Sequence, residues 1–237
     1  MTYEEWIHFA REEPRVLGVI VTGSRGRGAL VHDTSDWDLR VVVQDGEEPF
    51  ADSLDTPHGS DVEVSAATLT ALRASPQWDR YSYAHAQVPV DKLHGQVRRL
   101  VEARGTLRNA EAHEVARQSL SAYTNSLYRS LRNAELGLEV AARLDAADAV
   151  SALLTALFAF ERRVRPFNKY LRWELETFPL RGWDANEVLG LLDAALGGGA
   201  DAQRALLRAV EPHVRAGGFG DVIDEWEPHV TFLRGDE

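Results

Sequence analysis

Val16-Leu17-Gly18-Val19-Ile20-Val21 is aliphatic at every position but the glycine, the pattern of a short strand covered on both faces. Thr2 and Glu5 stand at capping-box spacing ahead of it, which predicts a helix from there to about Glu13. After a glycine-rich turn, Gly23 to Gly28, the stretch Asp36 to Val43 reads as a second strand with an apolar end. A polar segment, 44–60, reads as a loop, and Val62-Glu63-Val64 as a third strand. Ala66 to Ala74 then has helical character, Ala86 to Val90 that of a fourth strand, and Gly95 to Arg104 that of another helix.

From Leu107 onward the pattern changes to alanine- and leucine-rich helical periodicity. Breaks are expected near Gly137, Asp145, Pro166, Pro179 to Gly182, Gly197 to Gly199 and Gly217-Gly218, giving about five packed helices. One late strand is expected at His229 to Leu233. The expected division is therefore 1–105, strands alternating with helices, and 106–237, a helical domain apart from that last run, an α+β chain overall.

Composition excludes several classes. A chain of 237 residues with 44% hydrophobic and 27% charged residues can bury a real core and is not a disordered tail. It has no cysteine, which removes disulfides, thiolate metal sites and a cysteine nucleophile, and fits a reducing compartment. The longest apolar run, Ala152 to Phe160 broken by Thr155, is too short to span a bilayer, and no secretory signal pattern opens the chain. A cytoplasmic location without membrane contact is the expectation. Net charge is −11, with 11 basic against 17 acidic residues in 1–105 and 15 against 20 in 106–237, so neither half offers a basic platform for nucleic acid.

The chemistry concentrates in Gly23-Ser24-Arg25-Gly26-Arg27-Gly28 and in Ser35-Asp36-Trp37-Asp38. Glycines after a buried strand free the backbone to present N–H groups to a phosphate, and Ser24 adds a hydroxyl. Arg25 and Arg27 are candidates to neutralise it. Gly28 is followed by Ala29-Leu30 where a Walker A loop has Lys and Ser/Thr, and GxGxxG is absent. Asp36 and Asp38, two apart on a strand, share one face while Trp37 takes the other. Paired carboxylates suit a hard cation such as Mg²⁺. Glu63 on a neighbouring strand can add a third carboxylate, with Asp61 as its alternative; if the pair is structural instead, Arg40 is the natural partner of Asp38. The eight histidines show no zinc-binding spacing. Arg108-x4-His113 matches a short pattern of HEPN ribonucleases, but 24 arginines and eight histidines give one such pair by chance.

The Gly-Ser turn, the eleven-residue gap between Ser24 and Asp36, the Asp-x-Asp strand and the later Glu63 resemble the nucleotidyltransferase superfamily that contains DNA polymerase β and the antibiotic nucleotidyltransferases. The resemblance covers roughly residues 15–65. Leu154 to Phe160 and Arg165-Pro166-Phe167-Asn168-Lys169-Tyr170 look, more loosely, like the helical domain of kanamycin-type enzymes. It implies a catalytic domain at 1–105 and a helical substrate-binding domain at 106–237. Gly23, Ser24, Arg27 and Lys169 would bind the triphosphate, and Asp36, Asp38 and Glu63 two Mg²⁺ ions. An NTP, ATP first among them, would pass its nucleoside monophosphate to a hydroxyl of a small molecule such as an aminoglycoside-like antibiotic. The base would be Glu63 or a helical-domain glutamate, with Glu111, Glu114 and Glu135 as candidates. The expected partners are the NTP and that acceptor; a homodimer is compatible with this reading. The alternatives are nucleotidylation of a protein, as in antitoxin-like minimal nucleotidyltransferases, and a nucleotide-binding module without turnover.

Overall fold

A computed structural model describes residues 1–74 and 76–236. They form two compact units. The first comprises Met1–Thr106 together with Pro166–Tyr170, and the second Leu107–Arg165 with Leu171–Glu237. The architecture is α+β: a mixed sheet with helices in the first unit, helices in the second.

The first unit begins with α1 (Tyr3–Glu12). Thr2 Oγ1 accepts the Glu5 N–H at 3.2 Å and the Glu5 carboxylate accepts the Thr2 N–H at 2.8 Å, closing the expected box, which contributes about 1 kcal/mol. Strands β1 (Val16–Val21), β2 (Trp37–Val43), β3 (Val62–Thr68) and β4 (Gln87–Asp91) make one sheet in the order β3-β2-β1-β4. β1 runs antiparallel to β2 and β4, and β2 runs parallel to β3.

Alternation along the strands divides the core. Val19, Val21, Leu39, Val41, Val43 and Val64 face one layer, where Trp6, Ile7 and Ala10 of α1 pack, while Ile20 and Val42 face the other with Val97 and Val101 of α5 (Gln96–Gly105). Gly18 admits that helix closely: a Cβ there would stand 2.9 Å from both the Val90 carbonyl oxygen and Val97 Cγ2.

Several local readings need correction. The segment 44–60 is not all loop, because α3 (Glu48–Leu54) folds within it and buries Ala51 and Leu54. Pro49 at its start fits the first turn of a helix, where no N–H is needed. The helix expected at Ala66 starts later: β3 continues to Thr68, whose hydroxyl then caps α4 (Leu69–Arg73) by accepting the Ala71 N–H. The glycine-rich turn is itself helical, α2 (Gly23–Arg27), closed by Gly28 in the left-handed region.

In the second unit α6 (Asn109–Glu135) and α7 (Glu139–Phe160) are joined by a three-residue turn and pack along their length through Leu120, Leu127, Leu131, Leu153 and Phe158. The break expected at Asp145 is absent. That carboxylate is buried inside α7 and held by Arg129 at 2.8 Å and by Asn133 Nδ2 at 2.7 Å, so partners on α6 offset its poor helix propensity. α8 (Leu171–Thr177), α9 (Ala185–Leu196), α10 (Ala200–Ala216) and α11 (Gly220–Asp224) follow. The strand expected at His229 to Leu233 is instead α12 (Val230–Arg234), which buries Val230 and Leu233 one turn apart and anchors Arg234 to Glu211. A short apolar run suits either period, and in the second unit there is a helix to pack against and no strand among the described residues. No helix among the described residues is long and apolar enough to cross a membrane.

Candidate metal and phosphate site

The site lies in the first unit, at the end of the sheet where β1 gives way to α2. Thr22 N–H donates to the Asp38 carbonyl at 2.8 Å, tying the turn to the start of β2. Gly23 then adopts φ +62°, and a Cβ placed on it would overlap Asp38 Oδ2. Two independent demands therefore select glycine: a left-handed backbone and the room the carboxylate occupies. Gly26 is constrained by space, since a Cβ there would strike the Val21 carbonyl oxygen.

Asp36 immediately precedes β2 and Asp38 lies within it, while Trp37 between them turns away to stack on Tyr3 with ring centroids 3.8 Å apart. The parallel register pairs Asp38 with Glu63 on β3. Asp36, Asp38 and Glu63 thereby each offer a carboxylate oxygen, all lying within 4.8 Å of one another, and all three side chains are half-buried. Glu63, not the exposed Asp61, completes this group. Arg40 does not neutralise Asp38; it bonds the buried Asp79 carboxylate at 2.8 Å and the Tyr83 hydroxyl at 3.1 Å.

Electrostatics separate the carboxylates. Burial pushes the Asp38 carboxyl above its ordinary range, and the neighbouring Asp36 and Glu63 charges push the same way, partly offset by Arg27 and Lys169. Glu63 is held below the usual glutamate range, first by the Gly59 N–H donating to Oε1 at 2.5 Å and then by His58 beside Oε2. Like charges gathered this closely, only partly offset by Arg27 and Lys169, cost free energy that a divalent cation would relieve. The donors are all hard oxygens, which suits Mg²⁺ or a similar ion and not a thiolate- or imidazole-seeking metal.

Ser24 is 5% exposed, and its Oγ lies 2.9 Å from the Tyr170 hydroxyl and 3.2 Å from Lys169 Nζ. Both partners come from the Pro166–Tyr170 segment, which follows α7 in sequence but belongs to the first unit. Lys169 therefore stands beside Ser24 within one compact body. Arg27 donates through Nη1 to the Gly23 carbonyl at 2.8 Å and through Nη2 to the Tyr81 carbonyl, with its guanidinium over the rings of Tyr81 and Tyr170. Its terminal nitrogens secure the turn, and its charge acts on Asp38 through space. Arg25 donates to the Ser35 carbonyl at 2.9 Å and lies over Trp37. A cleft lined by Arg25, Asp33, Ser35, Asp36 and Asp61 opens beside the carboxylates.

The helical-unit glutamates are engaged locally. Glu111 accepts the Arg108 N–H at 3.3 Å, Glu114 accepts from Gln118, and Glu135 pairs with Arg132 at 2.8 Å. Tyr170 was not singled out by sequence reasoning. Its signal is its position, directly after one of only two lysines in the chain and shortly after Pro166.

No family model matches the chain, and no curated protein does. Among solved structures it is similar to a nucleotidyltransferase-like protein from Exiguobacterium sibiricum, with 14% identity over 99% of this chain and 85% of that one and a TM-score of 0.41.

Proposed function

We propose that the protein is a divalent-metal-dependent nucleotidyltransferase that passes a nucleoside monophosphate from an NTP, ATP in the first instance, to a hydroxyl of a small molecule and releases pyrophosphate. The observation that carries this reading is the convergence of the Asp36, Asp38 and Glu63 carboxylates, within 4.8 Å of one another across β2 and β3, beside the Ser24 turn that the Thr22 N–H ties to Asp38. The three carboxylates would hold Mg²⁺, two ions in the fuller form of the proposal. A bound divalent ion supplies charge neutralisation for the triphosphate and for the transition state of phosphoryl-group transfer.

The protein's own groups position and neutralise. Ser24 and Lys169 present a hydroxyl and an ammonium to phosphate oxygens, Gly23 lets the backbone pass close to Asp38, and Arg27 adds positive charge behind the turn. The acceptor oxygen forms its bond to the α-phosphorus as the bond from that phosphorus to the bridging oxygen breaks. The hydroxyl proton passes to a base, for which the glutamates named above are candidates. In this reading the first unit is the catalytic half. A polycationic amino sugar is the favoured acceptor class, drawn by a chain of net charge −11.

The test is pyrophosphate release from Mg·ATP with and without a panel of amino-sugar and lincosamide acceptors, using Asp38→Asn as the matched control. Acceptor-dependent release that the substitution abolishes supports the reading and names the acceptor class. Silence across the panel with Mg·ATP still bound contradicts the small-molecule acceptor and favours a protein acceptor or a binding module. Silence without binding contradicts the site assignment.

A further inference from the structure

Ser24 Oγ has two partners among the described residues, Lys169 Nζ at 3.2 Å and the Tyr170 hydroxyl at 2.9 Å. Lysine carries donors only, so it occupies one lone pair of the serine oxygen. Between two hydroxyls either can donate, but the phenol is the stronger acid and the better donor to an aliphatic alcohol. With Tyr170 donating, both lone pairs of Ser24 are taken. Its single proton is then left for a further acceptor, and among the described residues Ser24 Oγ has no third hydrogen-bond partner in the protein.

A hydroxyl held in this way is forced to donate outward, which is the polarity a phosphate oxygen requires. If Ser24 instead donated to Tyr170, it would turn a lone pair toward the anion. We propose that Tyr170 is a positioning residue that fixes Ser24 as a phosphate donor, an inference that rests on the nucleotide-binding reading above. Tyr170 is suited to the task by its rigidity. It is 5% exposed, its N–H donates to the Phe167 carbonyl at 2.8 Å, its ring lies 5.8 Å from that of Tyr81, and the Arg27 guanidinium sits over it. The tyrosine need not touch the ligand. It acts by removing the wrong orientation of the hydroxyl that does.

Tyr170→Phe removes the hydroxyl and keeps the ring that packs against Tyr81 and Arg27, so the variant is expected to melt within a few degrees of the parent. Calorimetric titration of Mg·ATP into the parent, Tyr170→Phe, Ser24→Ala and the double variant provides the test. Each single substitution is expected to weaken binding about 10- to 100-fold, the range of one hydrogen bond to a charged group. The double variant is expected to bind no more weakly than Ser24→Ala, because Tyr170 has nothing to orient once the serine is gone. Parent-like affinity in Tyr170→Phe overturns the proposal, and so do additive losses, which a purely structural tyrosine would give. Absence of Mg·ATP binding in the parent itself contradicts the nucleotide reading, and the proposal with it, before any variant is made.

Discussion

At Gly23 backbone conformation and side-chain chemistry depend on the same few ångströms. Its φ of +62° lies where a Cβ is disfavoured, and the position that a Cβ would take is filled by the Asp38 carboxylate. Gly23→Ala is therefore expected to destabilise the protein by about 2 kcal/mol or more, measured by urea denaturation, and to displace Asp38. Asp38→Asn should act in the opposite sense on stability. Burial and the charges of Asp36 and Glu63 raise the Asp38 carboxyl, so at neutral pH the ionised group costs the folded state free energy. The neutral amide is expected to melt above the parent without metal and to lose the stabilisation that Mg²⁺ gives the parent. The Asp36 and Asp38 pair was legible from residue spacing, because strand alternation puts both on one face, whereas the choice of Glu63 over Asp61 as the third carboxylate depends on the register of β3 against β2. The engagement of Arg40 by Asp79 and the Tyr170 contact with Ser24 were not legible, since each joins residues distant in sequence through side chains that no periodicity reports.

Among the elements, the clearest pH-sensitive link joins α10 to α12. Glu211 on α10 accepts from Arg234 on α12 and from Arg215 one turn along, with its own side chain 12% exposed. The Arg234 hydrogen bond, opposed by burial and helped by Arg215, holds its carboxyl below the ordinary glutamate range. A depressed folded-state pKa means that the link contributes fully above the unfolded value near 4.5 and fades as pH falls through the lower folded one. Glu211→Gln is expected to cost about 1–2 kcal/mol at pH 7, since the arginines are partly exposed. The gap from the parent in thermal melts should narrow progressively as pH falls below the unfolded value near 4.5; a gap that stays unchanged through the acid range would contradict the assignment. The last apolar run, expected as a strand, is held as a helix by burial of Val230 and Leu233, with this pairing at its end. Asp145 carries the same lesson in reverse, as a residue that weakens isolated helices but is kept inside α7 by Arg129 and Asn133.

For the whole molecule, the pattern of apolar positions predicted which half would be sheet-bearing and which helical, because each strand and helix shows its period locally. It could not show that Pro166–Tyr170 belongs with the first unit, since that assignment depends on tertiary packing. The consequence is that Lys169 and Tyr170 meet Ser24 inside one compact body that also carries the three carboxylates. In the helical unit stability rests on the packing of α6 against α7. Leu153→Ala, at a fully buried position there, is expected to cost about 2–5 kcal/mol in denaturant titration.

The claim on which the account turns is that Asp36, Asp38 and Glu63 form a divalent-metal site that works with a triphosphate. Electron paramagnetic resonance of Mn²⁺, titrated with and without ATP into the parent and Asp38→Asn, tests it most directly. The account predicts saturable Mn²⁺ binding to the parent, tightened by ATP, and loss of both in the variant. Mn²⁺ and ATP binding that are indifferent to the Asp38 substitution would contradict it.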